Sequence, residues 1–328
     1  MEHEARNPYI DFLRGFGLLL LVVAHTYSPE WLFQIRTFDV PLMVFVSGMC
    51  YKPLRGGYLA YVIKRFKRIY IPVAVFLTLF FAAEIACHIL FGHPPIVLKT
   101  IVGSYLLLNG PSIGFVWIMR VFLLAALFIP PLWHMISRMS VIKTMIVITC
   151  MILLQSGLVM MLKILPSWWL RFFVNEIILY AVGYSVFIIL GLKIRFFTNR
   201  QLVTTIVILS CAVLGWILMN DGFYPQQYKY PPYGLFLIYG LLGCCVMWIL
   251  QPVFARFVNL RCFDYLSKNS MWIYLWHILP VFAIARLADV HNFWFCRFLI
   301  VLTCAILLNW TYHKLIKLLP EKFSRMIA

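Results

Sequence analysis

The chain has 328 residues, of which 63% are hydrophobic and only 12% charged, with a net charge of +17. A soluble domain carries roughly 25% charged residues, so this composition belongs to a polytopic membrane protein, best counted in apolar spans of about 20 residues. The positive charge does not mark a nucleic-acid binder, because the basic residues fall in short stretches between spans and form no basic domain.

In chain order, MEHEARNP has no basic n-region, and the apolar run after it lacks a small-x-small cleavage site, so an uncleaved first span is expected at 10–28. Further spans are expected at 33–51, 70–91, 113–134, 141–162, 172–192, 202–219, 233–251, 271–288 and 293–313, ten in all. The segment 92–112 is longer than the other connections and has room for a short re-entrant or surface helix. Short connections predict antiparallel neighbours, hence an all-α transmembrane bundle that forms a single domain over 1–328. With the N-terminus in the cytosol, 19 Lys and Arg fall in or beside cytosolic stretches and 6 on the opposite side, while Arg14, Arg36 and Arg120 lie inside spans. That asymmetry predicts both termini on the cytosolic side. Nine cysteines lie mostly within apolar runs without a C-x-x-C pair, and read as small buried residues. No His/Asp/Glu cluster has ligand spacing, so no metal is expected.

Ionisable residues inside spans carry the functional hypotheses. The first span, YIDFLRGFGLLLLVVAHTY, holds Asp11, Arg14 and His25. Eleven residues at 100° each come within about 20° of whole turns, so on a continuous helix Arg14 and His25 share a face about 16 Å apart. A local Asp11–Arg14 pair and a hydrogen-bonded packing histidine are the structural readings of these residues. Before the third span, YVIKRFKRIYIP carries Lys64, Arg65, Lys67 and Arg68. These residues fit a topology anchor, or an anion site in which Arg65 and Arg68, at i and i+3, grip phosphates.

The Arg-x10-His of DFLRGFGLLLLVVAH, FDVPLMVFVSG opening the second span, the Arg-x-x-Arg of RFKR, and LSKNSMWIYLWH before a late span occur in that order. With GFVWIMRVFLLAAL and YKYPPYGLFLIYG, they make the chain resemble the acyltransferase-3 family of membrane acyl-CoA-dependent acyltransferases over essentially its whole length. The resemblance implies transfer of an acyl group, expected to be acetyl, from cytosolic acyl-CoA to a hydroxyl or amine of a cell-envelope glycan or similar acceptor, at the cell membrane. Acyl-CoA is then a substrate, and no permanently bound cofactor is expected.

By position, the resemblance places Arg14 and His25 at the reaction centre, and gives Arg65, Arg68 and Arg14, with Lys64 beside them, to the phosphates of coenzyme A. The pantetheine arm would thread along the first span to His25, whose unperturbed pKa near 6.5 suits a general base. Ser47 and Gly48 match the Ser-Gly that closes the second-span motif, although Met43 and Val44 stand where many members have two phenylalanines. His277 matches a family histidine of unassigned role. Asp39 and Glu176, the latter beside Asn175, are the candidate orienting partners of His25, and Arg120 is an alternative structural partner for either.

The runner-up reading, a transporter of a lipid-linked glycan or small anion, predicts Gly- or Pro-broken spans in corresponding halves, and no such pairing is visible. A non-catalytic scaffold would not need Arg14 and His25 on one face.

Overall fold

The computed structural model describes residues 7–53, 56–285 and 293–318, and among them every named element is a helix. Helix α1 (Pro8–Val23) starts where the Asn7 side chain accepts from the Tyr9 amide and Pro8 takes the first position. It stops at Val23, so His25 lies in the turn that follows and not on the helix. Pro29 disfavours helical backbone at Ser28, and Tyr27 takes a left-handed φ of 52°, which turns the chain. The phase argument that aligned Arg14 with His25 therefore ends two residues short of the histidine.

After α2 (Glu30–Ile35) and α3 (Asp39–Met49) comes α4 (Tyr58–Phe91), a helix of 34 residues with Pro72 inside it. At 1.5 Å per residue it is about 51 Å long, well beyond the roughly 30 Å hydrocarbon core. Its buried residues, Pro72, Val73, Phe76, Leu77, Phe80 and Phe81, begin only at Pro72. The Lys64–Arg68 stretch, expected just before the third span, is thus part of the protruding start of this helix, with Arg65 and Arg68 at i and i+3. The short α5 (Leu98–Tyr105) occupies the long connection as expected.

Then follow α6 (Trp117–Ile136), α7 (Val141–Leu162) and α8 (Trp168–Phe173), the last running through a π turn at Val174–Ile178 into α9 (Leu179–Lys193). Helix α10 (Asn199–Met219) opens on a Thr198–Gln201 capping box. The chain continues through α11 (Leu235–Ile249), α12 (Gln251–Val258), α13 (Arg261–Lys268), α14 (Ser270–Trp276), α15 (Ile278–Ala285) and α16 (Trp294–Ile316).

Among the described residues seven helices are long and apolar enough to cross a membrane, or eight if α11 and α12, bent by 66°, are one span. The other two of the ten expected spans are α1, with only 16 residues, and Ser270–Ala285, which is divided at His277. Helix α7 leaves Ile142, Ile146, Leu153 and Leu154 exposed, an apolar surface suited to lipid. The chain ends, and Arg6, Arg55, Arg286, Lys322 and Arg325 of the charge count, lie outside the described residues.

Residues 7–24, 28–53 and 127–270 form one compact unit, and residues 25–27, 56–126 and 271–318 a second. In the first, α3 packs on α9 and α1, α7 on α9, α10 on α11, and α1 also on α12 and α13. The α3–α9 crossing is backbone against backbone. A Cβ on Gly191 would lie 2.1 Å from the Phe45 carbonyl oxygen, and one on Gly48 would lie 2.6 Å from that of Ile188. Small residues permit this approach, which carries much of helix association in lipid.

The second unit is held by aromatic contacts. Phe76 of α4 meets Trp276 edge-on at 5.7 Å, Phe80 meets Phe282 at 5.2 Å, and Tyr312 of α16 lies 4.2 Å from Trp272.

Gly191→Ala should push α3 and α9 apart and cost about 1–3 kcal/mol, because the obstacle is backbone and cannot swing away. Thermal unfolding in detergent, followed by circular dichroism, should show a lowered midpoint. Gly215→Ala, where nothing lies within 4 Å, should leave it unchanged or raised.

Candidate active site

Pro280 lacks the N–H that would bond the Trp276 carbonyl four residues back, and its ring crowds that carbonyl, so the helix opens between α14 and α15. His277 sits at this break and is completely buried, at 0% exposure. Its backbone is engaged on both sides: its N–H donates to the Ile273 carbonyl at 3.0 Å, and its carbonyl accepts from Val281 N–H at 3.2 Å. The imidazole Nδ1 faces the Tyr274 carbonyl, while Nε2 lies 2.9 Å from Nδ1 of His25.

The two rings stack with centroids 5.1 Å apart. Phe115 stands edge-on to both, 4.7 Å from the His25 ring and 6.0 Å from that of His277. Tyr274 Oη donates to the Phe115 carbonyl at 2.7 Å, tying that aromatic wall to α14. Two residues beyond His25, the Tyr27 ring lies 4.8 Å from the guanidinium carbon of Arg297, a cation on α16 that is 2% exposed.

The same unit carries the Arg-x-x-Arg pair. Lys64 and Arg68 are exposed and Arg65 half-buried on the protruding start of α4, with Arg65 positioned 5.4 Å from the Tyr61 ring. Arg120 lies on α6 and is buried.

In the other unit, Arg14 Nη1 is 3.5 Å from Asp11 Oδ1 and donates to Ser267 Oγ at 3.3 Å, while that hydroxyl donates to Asp11 at 2.8 Å. Arg14 Nη2 also meets Cys50 Sγ at 3.2 Å. Asp39 opens α3 one turn after Arg36 and accepts from Arg36 Nη1 at 2.6 Å, Lys229 Nζ at 3.3 Å and the Val40 amide at 2.6 Å. All three charged side chains are buried, and the two cations share that carboxylate. Nδ1 of His25 meets His277, and Asp39 meets Arg36, Lys229 and the Val40 amide.

Glu176 lies in the π turn and accepts from Asn175 Nδ2 at 2.9 Å. Asn175 also lines a cleft of about 390 Å³ with Leu162, Lys163, Arg171 and Phe172. The Ser47 hydroxyl bonds back to the Met43 carbonyl at 2.9 Å within its own helix.

Sequence reasoning missed Tyr274, Phe115, Ser267 and Lys229. All four lie in segments already quoted, but nothing in one dimension pairs residue 25 with residue 277.

With helices long and apolar enough to cross a membrane, the chain thus carries a histidine pair at a helix break and basic residues at the start of α4. The chain matches the family model of the acyltransferase domain over residues 7–314 and belongs to the acyltransferase-3 family, so the protein is a membrane acyltransferase. No curated protein and no solved structure matches it.

Burial pushes Lys229, which lies in the connection between α10 and α11, from its ordinary 10.5 down to about 8, with Arg36 adding to the effect and Asp39 opposing it. Between those values the unfolded chain binds the additional proton, so stability rises with pH; below about 8 both states are protonated and the cost is constant. The thermal midpoint should therefore climb from pH 8 towards 10, and Lys229→Met should flatten that climb. Equal slopes in the two proteins would show that Lys229 keeps its ordinary affinity for protons.

Proposed function

We propose that the protein transfers an acyl group, acetyl in the first instance, from acyl-CoA to a hydroxyl or amine of a cell-envelope glycan or similar acceptor, with His25 as general base. The observation that carries this reading is the His25–His277 hydrogen bond at 2.9 Å, in the same unit as Arg65 and Arg68. Phe76 lies eight residues beyond Arg68 on α4, about 12 Å further along the axis, and packs on Trp276, the neighbour of His277. Arg65, Arg68 and Lys64 hold the phosphates at the exposed start of α4, and the pantetheine arm follows α4 inward to the histidines. This route replaces the one along α1, whose regular helix ends before His25. Arg14, beside Asp11, belongs to the other unit.

In the reaction, the acceptor oxygen or nitrogen attacks the thioester carbonyl as His25 takes its proton. The tetrahedral intermediate then collapses with cleavage of the C–S bond, and the imidazolium returns the proton to the departing thiolate. A new ester or amide and the free thiol are the products, and nothing is oxidised or reduced. A positioned base contributes about 10²–10⁴-fold, with orientation and exclusion of water supplying the rest. Donor entry from the cytosol places both termini there, in keeping with 19 basic residues against 6.

Replacing Arg65 and Arg68 together with Gln should raise the dissociation constant for acyl-CoA about 10–100-fold, since charge-assisted phosphate contacts on a partly exposed helix retain only part of their 1.5–3 kcal/mol. Unchanged binding by a correctly inserted variant would leave these arginines as topology anchors. His25→Gln should bind acyl-CoA normally yet fail to transfer, and the wild-type rate should rise with pH through one ionisation to a plateau. Full transfer by the Gln variant would remove the base from the mechanism.

A further inference from the structure

The geometry points to His277 as the positioning residue that decides which nitrogen of His25 does the chemistry. A hydrogen-bond chain from the Tyr274 carbonyl through His277 holds the His25 proton on Nδ1 and leaves its basic lone pair on Nε2. The inference deepens the assignment of His25 as general base and rests on it.

A carbonyl oxygen can only accept, so the His277 nitrogen facing Tyr274, Nδ1, bears a proton. A neutral imidazole has one N–H, which leaves the lone pair of His277 on Nε2. Charging His277 would put an imidazolium at 0% exposure with a carbonyl and an imidazole, both uncharged, facing its two nitrogens, so the neutral ring is favoured. Nε2 of His277 lies 2.9 Å from Nδ1 of His25, a hydrogen-bond distance that requires one proton between the two nitrogens. His277 supplies the lone pair, so His25 Nδ1 supplies the proton. In neutral His25, Nε2 is then the nitrogen that can take a proton from an acceptor.

Phe115 packs edge-on to both rings, and Tyr274 Oη secures Phe115 at 2.7 Å, so a ring flip that exchanged the two nitrogens would have to displace this wall. When Nε2 of His25 gains its proton, the Nδ1–H bond to His277 becomes charge-assisted and strengthens. A buried carboxylate performs this service in serine hydrolases by fixing tautomer and orientation. An imidazole does so without the desolvation cost of an anion at membrane depth.

The test is nitrogen-15 NMR of the full-length protein labelled at histidine, with His25 assigned by the signal lost in His25→Gln, alongside steady-state kinetics. Wild-type His25 should carry its proton on Nδ1. His277→Gln, whose amide oxygen can accept from that N–H, should keep the tautomer and lose no more than about tenfold in turnover. His277→Leu should shift His25 towards the Nε2–H tautomer and lower kcat about 10²–10⁴-fold, with KM for acyl-CoA within about twofold. A wild-type Nε2–H tautomer, a Leu variant that keeps tautomer and kcat, or a Gln variant as inactive as Leu would each overturn the proposal. If the Leu variant does not fold, the wild-type tautomer and the Gln variant decide. The tautomer is read without substrates, so failure of this inference is distinct from failure of the base assignment, which active His25→Gln alone would reveal.

Discussion

Hydrocarbon supplies no hydrogen-bond partner, so a polar side chain carried to membrane depth has to find one inside the protein. Burial inside the protein makes the same demand, and three groupings meet it here, each joining segments far apart in the chain. Ser267 reaches Asp11 across 256 positions, Lys229 reaches Asp39 across 190, and His277 reaches His25 across 252. The first ties α13 to α1, the second secures the connection after α10 against the start of α3, and the third fixes the turn after α1 at the break between α14 and α15. Each satisfies a desolvated group and at the same time selects one packing over its neighbours in register.

The charged and polar groups divide by their surroundings. Arg36 and Lys229 are buried, share Asp39 and are consumed by structure. Lys64 and Arg68 stand exposed on α4, where a charge keeps its hydration until a ligand replaces it. The histidines are a third case: neutral imidazoles tolerate burial, yet can accept a proton when a reaction demands it.

The all-α bundle was legible because apolar content adds up locally, and each of the ten apolar segments is helical over most of its described residues. Where a helix stops was less legible. The regular part of α1 ends at Val23 because of the Ser28–Pro29 step and the turn at Tyr27, a backbone effect that hydropathy does not register. Arg14 with Asp11 was readable from their i, i+3 spacing. The same rule applied to Arg36 and Asp39 would have shown that Asp39 had a neighbour before it could be offered to His25. His277 was visible as a residue and opaque as a partner, since its contact with His25 depends on a helix break whose only local sign is Pro280.

The extra length of α4 has a further consequence. About 51 Å of helix against about 30 Å of hydrocarbon puts its basic turns among lipid headgroups or above them. A guanidinium at that depth meets lipid phosphate at a far higher local concentration than any dissolved phosphate ester. Occupancy of these arginines by a soluble ligand is therefore a competition with the leaflet itself, sharpest where anionic lipids gather around a basic helix. The apparent affinity of such a site belongs to protein and bilayer together, and the same chain in detergent, in zwitterionic vesicles and in an acidic native membrane presents its ligand with three different effective surfaces.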